Sequence, residues 1–189
     1  KYLKKLGFKN VILSSGYLSK MIKYYIEKKV NFINVKVVSD GKRSLGTGGA
    51  ITKSINLLKN NFYVLYGDSF LNFDIKKLLM KNNKSTMAIY KNENKYDSSN
   101  VDFKKFNFVY YTKNKKNQNC QYIDYGVSLL KKSIFKDEKK NKKIDLDSIL
   151  EKISKKYELK GYLVKKRFYE IGSYGGIKQF KKFIKNEIY

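Results

Sequence analysis

Two short stretches of this chain carry residue types that can do chemistry at useful spacing. Leu45-Gly46-Thr47-Gly48-Gly49-Ala50 opens a helical pattern, and Phe62-Tyr63-Val64-Leu65-Tyr66-Gly67-Asp68 is an apolar run that ends in a carboxylate. A glycine-rich helix entrance lets a flat or anionic ligand approach bare backbone N–H groups, and an aspartate at the carboxyl end of a buried strand can hold a divalent cation. Together they point to nucleotide chemistry. Each also has a plainer reading: the glycines as a tight turn, and Gly67-Asp68 as the cap of the turn that follows the strand. The common phosphate-loop patterns do not apply. A dinucleotide fingerprint starting at Gly46 needs glycine or alanine where the chain has Ile51, and no Gly-Lys-Ser/Thr triplet occurs.

The elements that must position these residues alternate along the first half. Val11-Ile12-Leu13, closed by Ser14-Ser15-Gly16, reads as a buried strand, and Leu18, Met21, Ile22, Tyr25 and Ile26 fall at helical spacing. Val35 to Val38 is a second strand, and the helix that begins at the glycines carries Ile51, Ile55, Leu57 and Leu58. Phe62 to Tyr66 is a strand, Ile75 to Met80 a helix and Thr86 to Tyr90 a strand. This rhythm predicts a parallel, three-layer α/β sheet whose ligands lie outside the carboxyl ends of its strands. In the second half, strands are predicted at Val101 to Phe103, Phe108 to Tyr111, Tyr122 to Leu130, Tyr162 to Lys165 and Phe168 to Ile171. Helices are predicted at Asp147 to Tyr157 and Ile177 to Ile184. No linker or repeat divides the 189 residues, so residues 1–189 read as one domain.

Composition narrows the chemistry. The chain has no histidine and one cysteine, Cys120. That excludes Ser-His-Asp and Cys-His hydrolases, His-ligated zinc and thiolate metal sites, and leaves carboxylates, lysines, hydroxyls, backbone amides and a hard metal. A lone cysteine and the lack of a membrane-length apolar run or secretory signal fit a cytoplasmic protein without a membrane partner. The formal charge of +26 raises the question of nucleic acid. Yet Arg43 and Arg167 are the only arginines, and the lysines are spread over nearly every segment. The pattern favours solvated lysine faces over a specific nucleic-acid footprint, because guanine readout favours arginine.

Five motifs, in order, give the chain a family likeness: LGTGGAI at Leu45 to Ile51, YGDS at Tyr66 to Ser69, YDSSNVDF at Tyr96 to Phe103, YIDYG at Tyr122 to Gly126, and FYEIG at Phe168 to Gly172. The chain resembles the sugar-1-phosphate nucleotidyltransferases, in the branch of the mannose-1-phosphate and D-glycero-D-manno-heptose-1-phosphate guanylyltransferases. The resemblance implies a Rossmann-like, three-layer α/β nucleotidyltransferase fold with a mixed, mainly parallel sheet. It implies transfer of a nucleotidyl group, with GTP favoured, to a mannose- or heptose-type sugar 1-phosphate, with release of pyrophosphate and with Mg²⁺ as cofactor. Asp68 is then the first Mg²⁺ ligand and Glu170 the second. Leu45, Gly46, Thr47, Gly48, Gly49 and Gly67 contact the nucleotide. Asp124, Tyr125 and Gly126 line the sugar pocket, and Lys113, with Lys115 and Lys116 close behind it, serves the sugar phosphate. Plainer roles stay open for Glu170, as a carboxylate paired with a lysine, and for Tyr125, as an ordinary strand aromatic.

One departure stands at the amino end. Relatives open with a strand and a glycine-rich, arginine-bearing loop that binds the triphosphate, and nothing here matches it. Lys1 to Leu6 reads as the end of a helix whose start is missing. The expectation is a chain short of about 30–50 residues, one strand-loop-helix unit. It would lack the first strand and its loop and be inactive by itself. Two other functions stay open, a catalytically silent relative acting as a binding or regulatory module and, more remotely, a basic nucleic-acid-binding protein. A homo-oligomer is also left open.

Overall fold

The computed structural model describes residues 1–80, 82–113 and 120–188. The chain divides into two compact units, one formed by residues 1–62 and 131–150 and the other by residues 63–130 and 151–189.

The first unit begins with a short helix α1 (Tyr2–Lys5), followed by β1 (Asn10–Ser15), α2 (Ser19–Lys29) and β2 (Asn34–Ser39). β1 and β2 pair in parallel from Asn10↔Asn34 to Ser15↔Ser39, the βαβ arrangement that the alternating pattern predicts. The predicted apolar stripe of α2 splits: Ile22 and Ile26 are half-buried, while Leu18, Met21 and Tyr25 are exposed. Helix α3 (Gly46–Ser54) starts at the glycines and ends in a 3₁₀ turn, Ile55–Leu57. Its buried residues include Ile51 and Thr52, and the Thr52 hydroxyl donates to the Gly48 carbonyl at 2.9 Å.

The second unit is built on a mixed sheet. Strand β3 (Asn61–Leu65), of which Tyr63 to Leu65 belong here, leads through a turn to β4 (Ser69–Phe70). Then come β5 (Ser85–Lys91), β6 (Val101–Phe103), β7 (Val109–Tyr111) and β8 (Tyr122–Lys131). After helix α4 (Leu146–Lys155), of which Glu151 to Lys155 belong here, follow β9 (Leu159–Leu163), β10 (Tyr169–Glu170) and helix α5 (Tyr174–Ile188). The strand order is β7-β6-β8-β5-β9, with β3 also pairing β8. β5 and β9 run parallel, whereas β8 is antiparallel to both β5 and β6. Met87, Ala88 and Ile89 of β5 are fully buried, as expected of a central strand. Cys120 is buried as well, and burial, then the nearby Asp102 carboxylate, pushes its thiol pKa up, which makes it a core residue rather than a nucleophile.

Two predicted elements differ. The helix expected over Ile75 to Met80 is a single 3₁₀ turn, Ile75–Lys77: the Asp74 side chain accepts the Lys76 N–H at 3.0 Å, and the backbone is extended again at Leu78. The strand expected over Tyr162 to Lys165 begins earlier, at Leu159, and takes in Gly161. A side chain at Gly161 would meet Val109 Cγ1 at 2.6 Å, so glycine lets the β9 backbone approach its neighbours.

A separate two-stranded antiparallel ribbon joins β4 to β10, with Glu170 opposite Ser69 and Tyr169 opposite Phe70. Helix α5 packs on it through aromatic rings, Phe180 on Phe70 at 4.7 Å between centroids and Phe183 on Tyr169 at 4.4 Å. Among the described residues no helix is long and apolar enough to cross a membrane.

Candidate active site

The β4–β10 ribbon brings together two carboxylates that lie more than half the chain apart. Asp68 sits in the turn between β3 and β4, where its carbonyl accepts the Ile171 N–H at 2.8 Å, and Glu170 ends β10. The point at which a Cβ on Gly172 would stand is 2.5 Å from Glu170 Oε1 and 3.2 Å from Asp68 Oδ2. Both oxygens therefore border one small space, which the missing side chain of Gly172 keeps open. The other Glu170 oxygen, Oε2, accepts the Ser173 hydroxyl at 2.9 Å, and Ser173 Oγ in turn accepts the Gly176 N–H at 3.0 Å in the first turn of α5. A Cβ on Gly176 would strike the Glu170 carbonyl oxygen and approach Oε2 at 2.6 Å. Glu170 is thus held by a hydroxyl and framed by two glycines, with one oxygen turned toward Asp68.

This arrangement fits a hard divalent cation. Two carboxylate oxygens at one opening are the donors magnesium takes from proteins, since it keeps several waters and completes its shell with substrate phosphates. Among the described residues no three His, Cys, Asp or Glu side chains converge, so there is no closed protein cage.

The segment Asp124 to Gly126, expected to line a sugar pocket, lies against the same turn. The Gly126 carbonyl accepts the Tyr66 N–H at 3.0 Å, and Gly126 adopts φ 89°, with Ser69 Cβ 2.7 Å from where its own Cβ would be. Any other residue there would be strained and would push the Asp68 turn away. Asp124 is half-buried, and its Oδ1 accepts the Gly126 N–H at 2.9 Å. Tyr125 is 1% exposed and its hydroxyl donates to the Arg167 carbonyl at 3.0 Å, so its side chain is a core element of this unit. Lys113 is exposed just after β7, while Lys115 and Lys116 lie outside the described residues. Gly67 is exposed in the turn, with nothing within 4 Å of its Cβ position.

The glycine cluster belongs to the other unit, where its surroundings differ. Gly46 has φ 70°, and its Cβ position is 2.7 Å from the Ile144 carbonyl oxygen; that of Gly49 is 2.5 Å from the Lys142 carbonyl oxygen. The Gly49 N–H donates to the Ile144 carbonyl at 2.9 Å, the Ile144 N–H to the Leu45 carbonyl at 2.8 Å, and the Leu146 N–H to Thr47 Oγ1 at 2.9 Å. Asp40 Oδ2 accepts the Leu45 N–H at 3.0 Å. Leu45, Gly48 and Gly49 are buried, Gly46 is half-buried and Thr47 is exposed. Much of the space the glycines leave is filled by the segment from Lys142 to Asp145.

Several supporting residues escaped the sequence reading. Ser173 follows the FYEIG motif directly, yet no local pattern marks it. Asn100, inside YDSSNVDF, accepts the Asp124 N–H on Oδ1 at 3.0 Å, and fully buried Asn92 donates to the Asp97 carbonyl at 2.6 Å and to Ser99 Oγ at 3.1 Å. Arg167 stacks its guanidinium on Tyr96 at 3.6 Å and on Tyr169 at 4.7 Å, which ties the YDSSN loop to β10. Its rarity, as one of two arginines, was the available signal.

Comparison with known proteins gives two kinds of likeness. The chain is 34% identical over 174 residues to a D-glycero-α-D-manno-heptose 1-phosphate guanylyltransferase of Campylobacter jejuni, spanning 90% of this chain and 77% of the relative. It is 28% identical over 177 residues to the enzyme of the same name from Aneurinibacillus thermoaerophilus, spanning 90% and 76%. Among solved structures, HddC from Yersinia pseudotuberculosis superposes with a TM-score of 0.77 at 23% identity, over 96% of this chain and 82% of that one. The inositol-1-phosphate CTP transferase of T. maritima superposes at 0.73 with 18% identity, over 92% and 74%. These structures establish the shared fold. No family model matches the chain.

Proposed function

Because this chain belongs to the family of the D-glycero-α-D-manno-heptose 1-phosphate guanylyltransferases, within the sugar-1-phosphate nucleotidyltransferases, we propose that it transfers a guanylyl group from GTP to a sugar 1-phosphate of heptose or mannose type. A phosphate oxygen of the sugar 1-phosphate attacks the α-phosphorus in line. The new P–O bond forms as the bond to the departing pyrophosphate breaks. The attacking phosphate is already ionised at neutral pH and needs no base, in keeping with a chain that has no histidine. The preference for GTP and a heptose follows the names of the two relatives, and a solved structure of HddC complexed with GMP-PN is in keeping with it.

The observation that carries the reading is the meeting of Asp68 and Glu170 at the opening kept by Gly172. Mg²⁺ held by these two carboxylates would offset charge on the phosphate oxygens. The chain's own residues take the remaining roles. Asp124 keeps acceptor oxygens beside the Asp68 turn for sugar hydroxyls, and Gly126 lets that turn close. Tyr125 supports them from the core, and Lys113 offers a cation to the sugar phosphate. Gly67 gives the nucleotide unobstructed backbone. In the glycine cluster, Thr47 and Gly46 are the members open to a base, while Leu45, Gly48 and Gly49 hold the turn in shape.

The test is pyrophosphate release by the full-length protein from GTP, CTP, UTP and dTTP, each with heptose, mannose and glucose 1-phosphates. Turnover of GTP with the heptose or mannose ester is expected, dependent on Mg²⁺ and reduced at least about 100-fold by Asp68→Asn. If no pair turns over, or if Asp68→Asn keeps the rate, the proposal is wrong.

A further inference from the structure

The second unit carries a groove that the nucleotidyl-transfer reading does not use. It has a volume of about 880 Å³ and runs between the β6–β7 hairpin and the segment after α4. Phe106 at the hairpin tip and Tyr157 after α4 line it. Both are bulky residues held in the left-handed region, at φ 57° and φ 56°, and they are 83% and 64% exposed. Neither backbone preference nor burial accounts for them, since such a turn position ordinarily takes glycine or asparagine.

Positive charge predominates around these rings. The Phe108 ring, edge-on to Tyr157 at 5.6 Å, has Lys160 Nζ at 4.9 Å and Lys84 Nζ at 5.5 Å from its centroid. Lys104, Lys105 and Lys155 line the groove itself. Its one lining carboxylate, Asp102, is engaged by Lys104, and Lys155 is itself bonded to Glu151. A second copy of this chain, also at +26, is a poor occupant for such a surface. A polyanion with exposed ring faces is a good one. In a duplex the base faces are stacked away, whereas a single strand offers phosphates to lysines and bases to aromatic rings together. Composition alone shows only two arginines and lysines spread along the chain. What the fold adds is exposed aromatic rings among the lysines in one concave place.

We propose that this groove binds single-stranded nucleic acid without reading its sequence. The concave shape favours a strand over a flat lipid surface.

Fluorescence anisotropy of a labelled oligouridine with the full-length protein tests this. Salt-sensitive binding is expected, weakened about tenfold by Phe106→Gly and by Tyr157→Ala. The double variant Lys20→Ala/Lys28→Ala, which removes charge from α2, should weaken it less than twofold. Phe106→Gly relieves the left-handed backbone and should melt no lower than the parent, so lost binding cannot be ascribed to lost folding. Nucleotidyl transfer should be unchanged in both groove variants. No binding, an unaltered affinity in both groove variants, or an equal loss in the α2 variant overturns the proposal. So does capture on phosphatidylglycerol vesicles that Phe106→Gly abolishes while oligouridine binding stays.

Discussion

Glycine is used in opposite ways in the two units. At Gly46, Gly48 and Gly49 the missing side chains make room for the chain itself, with carbonyl oxygens of Ile144 and Lys142 standing within contact of the Cβ positions. At Gly172 the missing side chain makes room beside two carboxylate oxygens, and the residue is exposed. One set is a matter of packing and the other of access, although both stand in motifs of the same family. A glycine-rich motif is therefore weak testimony about ligands until what borders each Cβ position is known.

The contrast can be broken by adding one methyl group in each place. Gly172→Ala puts its Cβ against Glu170 Oε1 and Asp68 Oδ2, so transfer should fall about 100-fold, as expected for misplaced catalytic groups. Stability should change by no more than about 0.5 kcal/mol, because the site is at the surface. Gly49→Ala drives its Cβ into the Lys142 carbonyl, so it should cost about 2 kcal/mol, a drop of roughly 4–8 °C in Tm. Thermal melts and initial rates on both variants check this. A stable Gly49→Ala or a strongly destabilised Gly172→Ala would erase the distinction.

A milder change sharpens the account of the carboxylate site. Ser173→Ala removes the hydroxyl bonded to Glu170 Oε2 while leaving both carboxylates in place. The Mg²⁺ concentration needed for half-maximal rate should rise about tenfold, with kcat at saturating Mg²⁺ nearly kept, the behaviour of a residue that orients a ligand. Ser173→Thr should restore most of the loss.

The sequence made the elements of the first half legible because apolar runs and helical spacing report burial directly, as in β1, β2 and α3. The two carboxylates were legible through strand-end placement and motif likeness. Long-range contact was not. No local pattern announces that Lys142 to Asp145 fills the glycine cluster, or that Ser173 bonds Glu170. Ile75 to Met80 had helical composition, but Asp74 competes for the first turn through its side chain. Tyr125 stands within a recognisable motif, yet only the fold reveals that its ring is buried and its hydroxyl engaged by Arg167.

In the proposed function Asp68 and Glu170 together hold a divalent cation. The most direct measurement is titration of the full-length protein with Mn²⁺, followed by loss of the free-ion EPR signal and by competition with Mg²⁺. One saturable site is expected, displaced by Mg²⁺ and weakened about tenfold or more by either Asp68→Asn or Glu170→Gln, with both variants melting like the parent. Mn²⁺ binding that neither substitution alters would contradict the account.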